Sequence, residues 1–387
     1  MHVINMNLDN NIGIYIHIPF CASRCYYCDF SSNVGQDEKI EKYIDAVCKE
    51  LLQNAEILSE RKISTVYFGG GTPSYIDSKY IEKIMSIINM FESDIDEITI
   101  EINPGTIDKN KLLTYKNCGI NRLSIGLQGT YNDVLKNIGR IHTYEDFITT
   151  LELAKEVGFN NISLDLIYPL PNLSLERFKE SINTVVELKE LYNIKHISVY
   201  NLELHENSKL KFLIDNGFLS LVNEDEEYEM KKYLESTLEK NGFLRYEISN
   251  FALRGFESKH NLNYWLQGEY IGVGAAASSF LAGSRYTNIK DLDKYINSIN
   301  EDKSVIIEKE DLDFLELMKE CVILRLRLNE GVNIAKFKKR FGVSIYEIFK
   351  DEIEKLLEEG LIVSKNDCLL LSERGKEVAN IVWEEFI

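Results

Sequence analysis

The sequence predicts an α/β protein whose main domain is an incomplete TIM-like barrel of six β/α units. Short β-rich runs alternate with longer amphipathic segments over the first 200 of its 387 residues. Six consecutive units imply a parallel sheet with right-handed crossovers, and an open doubly wound sheet is the alternative. The predicted strands cover residues 14–18, 64–68, 98–102, 122–126, 162–167 and 196–200.

Helical periodicity fills the intervals between these strands, and the pattern then changes twice along the chain. The predicted barrel helices cover residues 38–58, 78–91, 108–118, 144–157 and 175–191. After residue 200 we expect a charged helix over 224–240, a strand over 244–251 and a turn within the small-residue stretch 272–279. The chain is then helix-rich, with predicted helices 312–328, 334–341, 345–358 and 373–386 and short strands 362–364 and 368–371.

These changes in pattern predict three domains. The barrel occupies residues 1–205, an α+β extension follows over 206–305, and a small helical, winged-helix-like domain covers 306–387. Winged helices often bind DNA, but the acidic surroundings favour a docking module or lid.

The unusual polar residues follow the predicted strands at one end of the barrel. Cysteines come after the first strand and Gly69-Gly70-Gly71-Thr72-Pro73 after the second. Glu101 and Asn103 end the third strand, Gln128 follows the fourth, and Asp165 lies in the fifth. Barrels of this kind place their active sites at the carboxyl ends of the strands, so the pattern indicates a site there.

The cysteines Cys21, Cys25 and Cys28 form a C-x3-C-x2-C run without a fourth cysteine. Three thiolates are suited to a cubic iron–sulfur cluster whose fourth iron stays open to a ligand. A zinc site and plain structural thiols are the alternatives, although zinc with sulfur ligands normally takes four donors. The other four cysteines are scattered singly, which is typical of a reduced protein.

The other polar residues at this end predict a zwitterionic nucleoside ligand. The glycine run is either a simple turn or a place where a ligand lies against the backbone, and we favour the second. Glu101 and Asp165 offer carboxylates for an ammonium group or ribose hydroxyls. Gln128 offers an amide for hydroxyls, and Arg140 a guanidinium fork for a carboxylate.

Composition limits the classes of partner. With 62 acidic and 44 basic side chains the net charge is −18, which argues against nucleic acid as a ligand. The sequence contains no run of about 18 apolar residues and no secretory leader, so a membrane span is not predicted. The cytoplasm is the expected location, and peripheral membrane contact is left open.

Several motifs, in order, resemble the radical S-adenosylmethionine (SAM) superfamily. Within it they resemble the branch of oxygen-independent coproporphyrinogen III oxidase and the haem chaperone HemW family. The matching stretches are YIHIPFCASRCYYCDF, VYFGGGTPS, EINPGTID, NRLSIGLQG, NIGRIH, ISLDLIYPLP, HISVYNLELHE and YEISNFALRGFESKHNLNYW.

The resemblance implies a [4Fe–4S] cluster on Cys21, Cys25 and Cys28, with SAM on the open iron. An electron donor for the cluster is implied too, since in the superfamily's chemistry the reduced cluster cleaves SAM. By position in the motifs, the implied SAM contacts are Tyr15, Gly70, Gly71, Thr72, Glu101, Gln128, Arg140 and Asp165.

Smaller features point to the haem chaperone side of this branch. The oxidase motif reads C-x3-C-x2-C-x-C, whereas this chain has Phe30 at the position of the last cysteine. The segment before Tyr15 is also shorter than the one associated with the oxidase. The run from His260 to Trp265 resembles an H-N-x-x-Y-W element linked to haem binding, which makes His260 a candidate haem ligand. The alternative is a structural histidine beside two core aromatic residues.

We therefore expect a protein that binds haem and delivers it to an unidentified acceptor protein. The alternative is the oxidase itself, and the sequence leaves open whether the chain is an enzyme. Two departures from the usual relatives lie near the site and leave its loop geometry open: Asn172-Leu173, where Gly-Gln is common, and Gly129, where Ser often follows the glutamine.

Overall fold

A mixed sheet forms the centre of the computed structural model, which describes residues 10–92 and 94–387. Six of its strands are those of the predicted barrel: β1 (Asn11–Ile18), β2 (Lys62–Gly70), β3 (Glu97–Ile102), β4 (Arg122–Gln128), β5 (Ile162–Tyr168) and β6 (Ile194–Asn201). They lie side by side in chain order and all pair in parallel, as predicted.

Six further strands extend this sheet at both edges: β7 (Leu244–Arg245), β8 (Asn250–Ala252), β9 (Tyr270–Val273), β10 (Ser278–Leu281), β11 (Ser284–Asn288) and β12 (Ile306–Asp311). The order across the sheet is β12-β11-β10-β9-β1-β2-β3-β4-β5-β6-β8-β7. Since β1 pairs with β9 and β6 with β8, the barrel strands do not close on themselves. The incomplete barrel is therefore confirmed.

Helices follow the barrel strands and continue through the extension. They are α1 (Ile40–Gln53), α2 (Ala55–Ser59), α3 (Ser78–Ile88), α4 (Lys109–Asn117), α5 (Asn132–Asn137), α6 (Tyr144–Val157), α7 (Leu175–Tyr192), α8 (Lys209–Asp215), α9 (Glu224–Lys240), α10 (Lys259–Trp265) and α11 (Leu292–Asn300). Short 3-10 helices cover Asp37–Lys39 and Pro73–Tyr75.

Local chemistry explains where these helices begin and end. At the start of α6, Thr143 and Asp146 form a reciprocal capping box, and Gly158 ends the helix with a φ of 86°. At the start of α9, the side chain of Asn223 caps the helix, and four acidic residues follow in the first turn. Negative charge there is favourable because it faces the positive end of the helix dipole.

Several predicted elements differ in detail from the structure, and the helices predicted over 345–358 and 373–386 are each divided in two, at Phe349 and Val378. The helix predicted over 38–58 is broken at Asn54, whose side chain donates to the backbone oxygen of Glu50. The strand predicted over 244–251 is a hairpin, β7 and β8, turning around the buried Glu247. The short helix α5 was not predicted, since six residues carry too little periodicity to recognise.

Polar and apolar side chains alternate along much of the barrel strands, most regularly in β1, β3 and β4. In β1, Ile14, Ile16 and Ile18 are fully buried in the main hydrophobic core. The residues between them, Tyr15 and His17, are polar, and they lie on the opposite face because successive side chains of a strand point to opposite sides. The barrel interior is therefore lined by polar groups, and the outer face packs under the helices.

The C-terminal part has its own hydrophobic core. Its elements are α12 (Phe314–Leu326), β13 (Val332–Asn333), α13 (Ile334–Phe341), α14 (Ile345–Ile348), α15 (Lys350–Glu358), β14 (Ile362–Lys365), β15 (Cys368–Leu371), α16 (Glu373–Glu377) and α17 (Ala379–Glu384). Strands β13, β15 and β14 form a small antiparallel sheet. Helices around a small sheet match the predicted winged-helix-like arrangement.

The predicted domain limits remain a prediction. Strand β12, which lies at the start of the third predicted domain, pairs with β11 at the edge of the large sheet. Within the part of the chain that the structure describes, no helix has both the length and the apolar character needed to span a bilayer.

A buried carboxylate connects the barrel to the extension. Glu50 in α1 accepts hydrogen bonds from the Tyr295 hydroxyl at 2.6 Å, the Asn288 amide at 2.7 Å and the Gly274 backbone N–H at 2.8 Å. Burial raises the pKa of Glu50 to about 7 despite these donors. Glu50 thus holds α1 against α11 and the turn after β9.

We expect Glu50→Ala to destabilise the protein by about 3 kcal/mol or more, because three buried donors lose their acceptor. Chemical denaturation measures this change. Glu41→Ala, on the exposed face of the same helix, is the control and should change stability by less than about 0.5 kcal/mol. Equal, small effects of the two substitutions would contradict the role assigned to Glu50.

Candidate functional site

The three cysteines lie on one loop that follows β1. Residues 21–32, here called the cysteine loop, are closed at the base where the backbone N–H of Cys21 donates to the Asn33 carbonyl at 3.0 Å. Cys21 is buried and its sulfur lies 3.4 Å from the Thr72 hydroxyl. Cys25 and Cys28 are partly exposed, and the Cys25 sulfur accepts from the Arg140 guanidinium at 3.5 Å. One loop therefore presents all three thiols.

The chemistry of these thiols fits a ligand that carries positive charge. Burial raises the pKa of Cys21 and of Cys28, and the neighbouring thiols raise them further. Metal binding requires the thiolates and so releases protons here. Among residues 10–92 and 94–387, no group of three or more His, Cys, Asp or Glu side chains is arranged to hold one metal ion.

The glycine run lies directly beneath the cysteine loop. Gly70 has a φ of +111°, and a Cβ there would lie 2.5 Å from the ring of His17. A Cβ on Gly71 would lie 2.9 Å from the carbonyl oxygens of Ile18 and Phe20. The backbone of the run therefore packs against the loop, and this close approach requires glycine whether or not a ligand is bound.

Two half-buried carboxylates face the barrel interior. Glu101 accepts hydrogen bonds from the Tyr67 hydroxyl at 3.0 Å and from the Gly70 N–H at 3.2 Å. Burial, then repulsion by Asp165, raises the pKa of Glu101 to about 7. Asp165 accepts from the Ser124 hydroxyl at 3.1 Å, and burial raises its pKa as well. Half-buried carboxylates of this kind are suited to a ligand that brings a positive group.

Gln128 lies at an irregularity between β4 and β5. The register shifts between Gly126 and Gln128, and Gln128 has a φ of 65°. Its Oε1 is buried and has no hydrogen-bond partner within the described residues. A buried acceptor without a partner is costly, so it indicates a donor that a ligand supplies.

Arg140 is not free to act as the predicted fork for a ligand carboxylate. Its Nη2 donates to the Asn103 side chain at 2.7 Å and to the Gly126 carbonyl at 2.8 Å, and its Nη1 donates to Cys25. Its Nε donates to His142 at 3.3 Å. Most of its donors are thus used within the protein, so its charge lies beside the cysteine loop.

The remaining predicted contacts lie in the same region. The Tyr15 hydroxyl bonds to His17 Nδ1 at 3.1 Å, and its ring stacks on Tyr67 with centroids 6.3 Å apart. Thr72 accepts from the Asn103 amide at 2.9 Å, which links it to the same network as Arg140. Gly70, Gly71, Thr72, Glu101, Gln128 and Arg140 thus lie at or beyond the carboxyl ends of the strands, on the side of the cysteine loop, whereas Tyr15 and Asp165 lie within β1 and β5.

Sequence reasoning assigned no role to several residues of this network. Asn103, His142 and Tyr67 hold the predicted contacts in place, and Arg122 is buried in the barrel interior near Glu101 and Asp165. The alternation of side chains along a strand could have identified Arg122, because Arg122, Ser124 and Gly126 share the inward face of β4. Asn103 was noted at a strand end only.

His260 is not available as the predicted haem ligand in this structure. It is 1% exposed, its Nδ1 bonds to the Thr65 hydroxyl at 2.7 Å, and its Nε2 bonds to the Tyr264 hydroxyl at 2.7 Å. Burial and the nearby Arg122 lower its pKa to about 3. An axial ligand needs a free ring nitrogen, and both are hydrogen-bonded here, so this geometry favours the alternative of a structural histidine and ligation by His260 stays a prediction.

A cavity of about 770 Å³, here called the large cavity, opens beside the cysteine loop. Arg24 and Phe30 of the loop form one side, Tyr15 and His17 of β1 lie behind it, and residues of α10, β9–β11 and α12 with their connecting turns form the opposite side. Its aromatic lining includes Phe30, Tyr264, Trp265, Tyr270 and Phe280, and its cations are Arg24, Arg285 and Lys290. The volume lies within the range of about 300–1,000 Å³ usual for ligand pockets.

The chain is similar to known proteins over nearly its whole length. A radical SAM superfamily model matches residues 15–185, and a HemN C-terminal domain model matches residues 312–378. The chain is 36% identical to the heme chaperone HemW of Bacillus subtilis over 376 residues, covering 96% of this chain and 98% of that protein. It is also 36% identical to heme chaperone HemW of Lactococcus lactis, covering 96% of each.

The fold is similar to that of a solved enzyme. Coproporphyrinogen III oxidase (HemN) from Escherichia coli superimposes with a TM-score of 0.86, covering 99% of this chain and 92% of that chain. The identity is 23%, so the likeness concerns the fold alone.

The raised pKa of Glu101 predicts that the stability of the folded protein depends on pH. The pKa of this carboxyl rises from 4.5 to about 7 on folding, so the folded state keeps a proton that the unfolded state has lost. The contribution of Glu101 to stability therefore falls as pH rises through this window. At about 1.4 kcal/mol per unit, the loss is at most about 3 kcal/mol.

Urea unfolding of the ligand-free protein and of Glu101→Gln between about pH 5 and 8 measures this effect. We expect the stability of the variant, relative to the unsubstituted protein, to increase with pH. Glu50, which titrates in the same range, is common to both proteins and cancels. A difference that does not change with pH would contradict the assignment.

Proposed function

Because this chain belongs to the haem chaperone HemW family of the radical SAM superfamily, we propose that it binds haem and passes it to an acceptor protein. The large cavity is the observation that carries the proposal. It combines aromatic walls with cations at its rim, and haem combines a flat ring with two propionate carboxylates. The acceptor remains to be identified.

The lining of the large cavity supports haem as its occupant. Phe30, Trp265 and Tyr264 provide aromatic surface for a macrocycle. Arg24 and Lys290 are exposed at the rim and suit the propionates, which need not be desolvated there. Within the described residues Lys290 has no ion-pair partner, so its charge is available to an anionic ligand.

We further propose that Cys21, Cys25 and Cys28 hold a [4Fe–4S] cluster and that SAM occupies the adjoining rim. The three thiols on one loop, the charge of Arg140 beside Cys25 and the absence of a fourth neighbouring cysteine in the motif support the cluster. When bound, such a cluster supplies the electron that cleaves SAM in this superfamily.

The proposed SAM contacts are Tyr15, Gly70, Gly71, Thr72, Glu101, Gln128, Arg140 and Asp165. Glu101 and Asp165 suit the positive groups of SAM because both are half-buried carboxylates with raised pKa values. Gln128 has an acceptor that needs a donor. Arg140 contributes charge and positioning through Asn103 and Cys25.

We propose that His260 positions the cavity wall. Its bonds to Thr65 of β2 and to Tyr264 tie α10 to the barrel, so that Tyr264 and Trp265 stay beside the large cavity. The HNxxYW element would then contribute its aromatic residues to the ligand and its histidine to their placement.

The enzymatic alternative is oxidative decarboxylation of coproporphyrinogen III. It rests on the fold of the oxidase and on the cavity beside the cysteine loop. Phe30, where the oxidase motif has a fourth cysteine, favours the chaperone. The proposed setting is the cytoplasm, with an electron donor for the cluster and without nucleic acid as partner, given the net charge of −18.

Phe30→Ala tests the location of the haem. Phe30 is 68% exposed and lines the large cavity, and Phe218 is also 68% exposed but does not line it. We expect Phe30→Ala to weaken haem binding by about tenfold, since an aromatic contact is worth ~1 kcal/mol or more. Phe218→Ala should bind haem normally.

The measurement is an anaerobic haem titration of each protein after cluster reconstitution, with iron analysis to show that the cluster is retained. Absence of haem uptake by the unsubstituted protein would overturn the chaperone proposal. A separate anaerobic incubation with coproporphyrinogen III, SAM and a reductant tests the oxidase alternative. That alternative requires a product in which propionate groups have become vinyl groups.

A further inference from the structure

Three neighbouring strands place Tyr270, Phe280 and Arg285 in one row across the sheet. Phe280 of β10 pairs with Tyr270 of β9 on one side and with Arg285 of β11 on the other. Directly paired residues of antiparallel strands point to the same face, with Cβ atoms about 4.5–5.5 Å apart. All three side chains line the large cavity, so a phenol and a guanidinium flank the same aromatic ring.

The hydroxyl of Tyr270 is available to a ligand. Its ring packs edge-on against Tyr264 with centroids 4.6 Å apart. Its oxygen makes no hydrogen bond within residues 10–92 and 94–387, and the residue lines the large cavity. The neighbouring Arg285 is itself held in place by Glu320 at 2.6 Å and Glu310 at 3.2 Å.

The other histidine and tyrosine side chains that line the large cavity already make hydrogen bonds within the protein. Both ring nitrogens of His17 are bonded, to the Tyr15 hydroxyl and to the Ser31 carbonyl. The Tyr264 hydroxyl is bonded to His260. Among the histidines and tyrosines that line the large cavity, Tyr270 alone within the described residues keeps an oxygen free for iron.

We propose that Tyr270 is the axial ligand of ferric haem in the large cavity and that Arg285 stabilises its phenolate. This inference rests on the proposed haem-binding function. Tyrosinate is an established protein ligand of haem iron. Burial raises the pKa of the Tyr270 phenol, and the Arg285 guanidinium opposes this rise while Glu320 adds to it, so Arg285 is the group that favours the phenolate. His260 then acts only through Tyr264, which packs against the ring of Tyr270.

Ligation requires that Tyr270 lose its proton. In water, ferric haem carries hydroxide or water, and the phenol replaces that ligand. When hydroxide is displaced, it leaves with the phenol proton as water, so one Fe–O bond and one O–H bond form as one of each breaks. No electron is transferred, and no further reactant is needed.

The experiment compares the haem complexes of the unsubstituted protein, Tyr270→Phe, Tyr264→Phe and His260→Ala, each carrying its reconstituted cluster. The probe is ferric haem, and the readouts are the affinity and the phenolate vibrations seen by resonance Raman spectroscopy. Tyr270→Phe keeps the aromatic packing, so loss of the ligand is separated from loss of the fold, which circular dichroism checks.

We expect phenolate vibrations in the unsubstituted protein, their loss in Tyr270→Phe with affinity lower by about tenfold or more, and their retention in Tyr264→Phe and His260→Ala. Phenolate vibrations that persist in Tyr270→Phe would overturn the assignment. Haem uptake without phenolate vibrations in the unsubstituted protein would overturn it while leaving the chaperone proposal standing. No haem uptake by that protein would overturn both.

Discussion

The alternation of polar and apolar residues along six parallel strands is the constraint on which the rest of this structure depends. Ile14, Ile16 and Ile18 pack under the helices on the outer face of β1, and Tyr15 and His17 point to the barrel interior. The same division recurs in β4, where Leu123 and Ile125 are buried in the core opposite Arg122 and Ser124. A shift of one residue in register would reverse it.

Placing charged groups in the barrel interior costs free energy, and hydrogen bonds from the protein reduce this cost. Glu97 accepts hydrogen bonds from the backbone N–H groups of Lys259 and His260 at 3.0 and 3.1 Å, at the start of α10. A carboxylate is favourable at that position of a helix. Glu101 and Asp165 have less compensation, and their raised pKa values express this. Glu101 and Asp165 lie at the predicted ligand site, where raised pKa values are expected of a site arranged for a charged ligand, although Glu50 outside the site shows a similar rise.

The extension matters because it continues the barrel sheet beyond β1. Strand β9 pairs in parallel with β1, and β10 to β12 follow, so the wall of the large cavity is continuous with the strand that leads into the cysteine loop. Glu50 fixes the turn after β9 to α1, and His260 and Glu97 fix α10 to β2 and β3. The large cavity is thus built on rigid elements, which favours preorganised binding.

The amino-acid sequence by itself determined the order of the barrel strands, the rim that carries the site and the three cysteines. Each follows from local pattern: period-2 alternation, glycine and cysteine spacing, and the rule that parallel strands share one carboxyl end. The predicted strands 98–102 and 162–167 and helix 224–240 needed little or no change. Motif position also brought Glu101 and Gln128 to the rim.

Only the tertiary structure decided which polar groups stay available to a ligand. His260 is a good haem ligand by type, yet Thr65 and Tyr264 use both of its nitrogens. Arg140 has the right shape for a carboxylate, yet Asn103, Gly126 and Cys25 take most of its donors. Tyr270 carries no motif, and its place in the wall of the large cavity follows from strand pairing with Phe280. Such availability depends on partners distant in the chain, and local sequence does not encode them.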